Sequence, residues 1–170
     1  MAWTAPVTGD WDTGDYFTAA NFKAQVLDNL TYLKSAADSR AVSVEVFSYT
    51  VPVVTGDSKR RIGPCPAILN GYSLTNVIAD VCVPSTGGLP TVAVRRGRQL
   101  AGATDPRTWV DMLTTNVTID ANEYSSLTAT TAMVVDTDND DIETGDLLVL
   151  DVDVAGTATE GLWVTVEFAK

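Results

Sequence analysis

The sequence predicts a mainly β protein: an N-terminal arm and a single α-helix over residues 1–38, then an antiparallel β-sandwich of jelly-roll type over residues 41–170. Three observations predict it. After Ala41 the apolar residues recur at every second position in seven or eight short runs, the period of half-buried strands. Clusters of Gly, Pro, Asn and Asp separate those runs, as in two-sheet β domains. No strand–helix–strand alternation occurs, which argues against a parallel α/β sheet.

Residues 1–17 have turn chemistry and no periodicity, with Pro6, Gly9-Asp10 and Asp12-Thr13-Gly14-Asp15. They also carry Trp3, Trp11, Tyr16 and Phe17, an aromatic load that gains most by docking on another surface. Thr18 suits a helix N-cap, although Asn21 replaces the Glu or Gln of a full capping box. Phe22, Val26, Leu30, Leu33 and Ala37 then form one apolar stripe on a rod of about 30 Å. So short a helix takes its stability from packing along the stripe, either on the β body or in a bundle of three copies.

Val42, Val44 and Val46 open the first strand. Asn70-Gly71 marks a turn before a strand with Val77, Ala79, Val81 and Val83 on one face, and Pro84 to Gly88 ends it. Thr91–Arg96 reads as a short strand and Gly97–Arg107 as a loop. Trp109–Ile119 and Ser126–Val135 read as one strand each. Leu148 to Val154 and Leu162 to Phe168 finish the domain, and the last strand is expected to lie at a sheet edge, guarded by Glu167 and Lys170.

The net charge of −11 is unevenly spread. Residues 41–111 hold seven basic and five acidic side chains, whereas residues 112–170 hold one basic and twelve acidic. That acidity argues against nucleic-acid binding. The basic set Lys59, Arg60, Arg61, Arg95, Arg96, Arg98 and Arg107 is either a solvated surface or a contact for an acidic neighbour, such as the acidic end of an identical copy. No apolar run approaches the roughly 20 residues of a membrane span, and the N-terminus lacks the pattern of a signal peptide. The expectation is a chain made in the cytosol, without membrane contact, that stays soluble until it is assembled or released.

The chain has no histidine, which excludes Ser-His and Cys-His relays and His-bearing zinc sites. No glycine-rich phosphate loop precedes a helix. Carboxylate pairs are unavoidable among 22 acidic residues, but the densest set lies in a stretch that reads as solvated, the wrong setting for a raised pKa. We therefore expect no catalytic residues and no cofactor. Asp136, Asp138 and Asp140 recur as the opening of an EF-hand does, yet Asp141 stands where glycine belongs and no helices flank the loop. They are weak calcium candidates, and the alternative is a hydrated turn. Cys65 and Cys82 form neither a metal set nor a redox pair, and a disulfide between them is not expected.

The run Trp3-Thr-Ala-Pro6, Gly9-Asp10-Trp11, Gly14-Asp15 and Thr18-Ala-Ala-Asn21-Phe22, followed by Asp28-Asn29-Leu30, resembles the N-terminal segment of tailed-bacteriophage virion proteins over residues 3–34. A second stretch, Asp111-Met112-Leu113, Val117-Thr-Ile119-Asp120, Gly145-Asp146-Leu147, Asp151-Val152-Asp153 and Gly161-Leu162, is similar to a β-sandwich module of phage head and tail appendages. The resemblance implies a trimeric or multimeric virion component, and the missing catalytic sets make the expectation a non-enzymatic one. Our expectation is a homotrimeric capsid decoration or cement protein bound to major capsid or tail proteins through Trp3, Trp11, Phe22, Val26, Leu30 and Leu33. The alternative is a tail or fibre component, or a receptor- or glycan-binding module, with Tyr72, Trp109 and Tyr124 as stacking candidates. No ligand residues carry over from the resemblance.

Overall fold

The computed structural model describes residues 27, 30, 33, 34, 38–99 and 107–170. The chain divides into two units at Arg40/Ala41. Trp3, Trp11, Phe22 and Val26 lie outside the described residues, as do the arm and most of the expected helix. Leu30, Leu33 and Lys34 have helical backbone, and Leu27, Leu30 and Leu33 are 46%, 56% and 51% exposed.

The second unit is mainly β, with antiparallel pairings. Its strands are β1 (Ser39–Pro52), β2 (Gly56–Ile62), β3 (Tyr72–Val83), β4 (Thr91–Arg98), β5 (Thr108–Asp111), β6 (Leu113–Thr115), β7 (Val117–Thr118), β8 (Val134–Val135), β9 (Asp141–Ile142), β10 (Leu147–Val154) and β11 (Glu160–Ala169). One sheet has the order β1-β11-β3-β9, the other β2-β10-β4-β5 with β7 also on β4, and β6 pairs with β8.

Period-two alternation builds the core. Val77, Ala79 and Val81 of β3 and Leu162, Val164, Val166 and Phe168 of β11 turn inward from the first sheet. Val92 and Val94 of β4 and Leu148, Leu150 and Val152 of β10 meet them from the second. All of these are at most 2% exposed. Val42, Val44 and Val46 pack at the margin, because β1 is the free edge of its sheet.

Three expectations are corrected and one unread strand is added. The final strand β11 lies between β1 and β3, so β1 is the edge. Trp109–Ile119 breaks into β5, β6 and β7: the successive residues Met112 and Leu113 are both buried, which an unbroken two-period strand cannot achieve. Ser126–Val135 is a 3-10 turn at Ser126–Thr128 followed only by β8, and the Ser125 hydroxyl accepts the Leu127 N–H at the start of the turn. The polar stretch Gly56–Ile62, which carries no alternation, is a strand on the free edge of the second sheet.

Contacts between β1 and β11 fix the polarity of the body. Ser43 Oγ lies 2.8 Å from Thr165 Oγ1, and Gly161 lies against the Tyr49 backbone. The start of β1 therefore sits at the same end as Lys170, together with the 63–71 and 143–146 connections. The 53–55, 84–90 and 155–159 connections lie at the other end, where Val53 N–H donates to Thr159 O and Thr86 N–H to Thr157 O.

Candidate functional site

Two charged constellations stand out, one at the end of the body near Lys170 and one on the outer face of the β2-β10-β4-β5 sheet. In the first, β4 continues past its apolar residues into Arg96 and Arg98, whose side chains reach the acidic 136–146 stretch. Arg98 bonds Asp146 through Nε at 3.0 Å and Nη2 at 2.6 Å, and reaches Asp141 at 2.9 Å and Glu143 at 3.0 Å through Nη1. Arg96 Nη1 pairs with Asp141, and Arg107 Nη1 donates to Gly97 O at 3.1 Å and Gly145 O at 3.0 Å. Asp146 is 2% exposed and also accepts the Glu143 N–H.

This fork geometry sets the electrostatics of the groups it joins. The Asp146 carboxylate, then burial working against it, then Asp141 set the Arg98 guanidinium, which is held above its usual range. Burial alone would push the Asp141 carboxyl up; Arg96 and Arg98 outweigh it and hold that carboxyl below its ordinary value. Cys65 lies behind the same connection, with its N–H on Asp146 O and its carbonyl accepting the Gly145 N–H. Burial, then the nearby Asp146 charge, pushes its thiol up to about 11. Such a thiol is a packed hydrophobe rather than a nucleophile.

The acidic stretch is therefore a strap anchored at Asp141 and Asp146, while Asp138 and Glu143 keep the exposure expected of a hydrated turn. Asp136 accepts the Asp138 N–H and the Asn139 side-chain amide, a turn-forming use of that carboxylate. Asp141 and Asp146 are committed to arginines. Among the described residues no group of three or more Cys, Asp or Glu side chains is placed to hold a metal, the weak calcium candidates Asp136, Asp138 and Asp140 included. Both thiols are free.

The second constellation is a groove of about 440 Å³ lined by Asp57, Arg95, Asp111, Asn116, Asp151 and Asp153, with the small Ala93 at its base. Asp151 points outward from the middle of β10, yet its side chain is only 5% exposed. It is satisfied by Arg95 Nε and by the N–H of Ser58, whose φ of 51° marks the irregularity where β2 passes it. The Arg95 guanidinium lies 6.0 Å from the Trp109 ring centroid, and that ring covers Gly97, where a Cβ would come within 2.7 Å of it.

The expected stacking candidates are not brought together. Tyr72 is 5% exposed and belongs to the core, which corrects its candidacy. Trp109 is 38% exposed on the second sheet, whereas Tyr124 is 58% exposed beside β3 of the first, its carbonyl accepting the Val81 N–H. Sequence reading missed two further exposed aromatics, Tyr49 and Trp163, and the signal for each was its place on the polar side of an alternating strand. The chain matches no protein-family model and no curated protein.

Proposed function

We propose that this chain is a non-enzymatic structural protein of a tailed-bacteriophage virion, a trimeric capsid decoration or cement protein fastened through its N-terminal segment and displaying a jelly roll. The observation that carries this reading is the exposure of Leu27, Leu30 and Leu33, three apolar side chains at three-residue spacing. Burying a leucine fully contributes about 1.5–3 kcal/mol, so three such residues from each of three chains form a strong contact even after the cost of ordering. The resemblance of residues 3–34 to phage virion segments supports the same attachment role.

The strand order supports a jelly roll. Along the chain β1, β3, β9 and β11 join one sheet while β2, β4, β5 and β10 join the other, in the orders β1-β11-β3-β9 and β2-β10-β4-β5. Jelly rolls occur among viral capsid domains, a fold-level analogy that agrees with the proposal without fixing the position on the particle. The absence of histidine and the commitment of Asp141 and Asp146 to arginines support a non-catalytic reading.

Replacing Leu27, Leu30 and Leu33 together by Asp is expected to convert a trimer into a monomer in light scattering and to abolish incorporation into particles. A monomeric parent chain, or normal incorporation of the triple variant, would sink the proposal. The receptor- or glycan-binding alternative has its own test. With Trp109 on one sheet, Tyr124 beside the other and Tyr72 buried, a glycan array probed with the purified chain is expected to stay blank. Saturable binding lost in Trp109→Ala would reverse that choice.

A further inference from the structure

Six members of the expected basic set divide in two by their contacts, and the seventh, Arg107, donates to the Gly97 and Gly145 carbonyls. Arg95, Arg96 and Arg98 are paired with Asp151, Asp141 and Asp146 of their own chain. Lys59, Arg60 and Arg61 make no ion pair among the described residues, and Arg60 and Arg61 are exposed. They occupy consecutive positions on β2, a free edge of its sheet.

The same sheet carries the opposite charge on its outer face. Four carboxylates and one guanidinium line the groove, a net charge of three negative. Asp151 and Arg95 neutralise each other, which leaves Asp57, Asp111 and Asp153 as the excess. Asp57 is 84% exposed, 3.8 Å from the already engaged Arg95, and Asp153 meets only the amide of Asn116. Three unpaired cations and three unneutralised carboxylates thus belong to one sheet. No ion pair joins them within the chain: Asp57 on β2 and Asp153 on the adjacent β10 do not pair with Lys59, Arg60 or Arg61, and Asp111 lies on β5, about 14 Å from β2 across β10 and β4 at the usual strand spacing.

We propose that the groove of one chain receives the Lys59–Arg60–Arg61 edge of a second copy. The charges match in number and sign, and an exposed strand edge is a ready template for association. Edge and groove adjoin on β2, which carries Asp57 as well as the three cations, and the contact pairs the basic set of one copy with the acidic set of the other. It is made by the β body and is distinct from the apolar contact through Leu27, Leu30 and Leu33. Exposed ion pairs are individually weak and screened by salt, so this contact gains its effect where copies are already held close together.

Sedimentation velocity on the full chain at about 10 mM and about 1 M salt separates the two contacts, because screening reaches the ionic one and spares the apolar one. The parent chain is expected to associate at least about tenfold more tightly at low salt. Arg60→Glu/Arg61→Glu and Asp111→Lys/Asp153→Lys should each lose that gain alone, and an equimolar mixture of the two should recover it. Asp111→Asn/Asp153→Asn, a version that places no new cation beside Arg95, should lose the gain alone and recover part of it when mixed with Arg60→Glu/Arg61→Glu, through its own basic edge and the intact groove of the other variant. Salt-independent association of the parent, variants that associate as the parent does, or a mixture no better than its components would each overturn the proposal. Association that persists at high salt reports the leucine contact instead.

Discussion

Arg98→Met is expected to lower the stability of the β body by about 3–5 kcal/mol, the cost of removing one partner from a buried ion pair. Asp146 would remain 2% exposed with only the Glu143 N–H to compensate its charge, and Asp141 and Glu143 would lose a shared partner. Methionine keeps most of the packing of the arginine stem, so the loss reports the charge. Denaturant titration measures it directly; a change under about 1 kcal/mol would show that solvent satisfies Asp146 equally well. The pH dependence has a fixed sign. The Asp141 carboxyl titrates below its ordinary value in the folded chain, so its stabilisation is present above the unfolded value of about 3.9 and is lost as the pH falls through the folded one. The parent should lose more stability than Arg98→Met in that acid window.

Phe168→Ala is expected to cost about 3–5 kcal/mol, a large share of the roughly 5–15 kcal/mol that holds a domain together. The ring is 1% exposed, and its strand is one of the two interior strands of its sheet, so the surroundings collapse poorly around the void. The β11–β3 register also shifts between Glu167 and Phe168, and the ring packs at that irregularity against the core. Thermal and chemical melts of the variant should shift together as one transition, and a loss under about 1 kcal/mol would mean that the site repacks.

Strands with a clean period of two were legible in the sequence, because inward Val, Leu and Phe alternate with polar residues in β1, β3, β10 and β11. Strand β2 was not, since Gly56–Ile62 is an edge strand whose side chains need no buried face. The neighbours of β11 were also beyond reading: which strands pair is a non-local choice, decided here by a chain that alternates between sheets. The charged strap shows the same limit. Arg98 and Asp146 were both conspicuous by type, but 48 positions separate them, and nothing in local pattern pairs a particular arginine with a particular carboxylate. Composition made the acidic stretch look hydrated; geometry buries Asp146. The groove was invisible for a related reason, since its lining comes from strands that adjoin only after folding.

The start of β1 and the end of β11 lie side by side at one end of the body. A pull applied between them would load the rungs between these two strands one after another, as in opening a zipper, instead of all at once in shear. Stretched from its two termini in an optical trap, the body should yield at low force from that seam, whereas a handle moved to the 84–90 connection should demand much more.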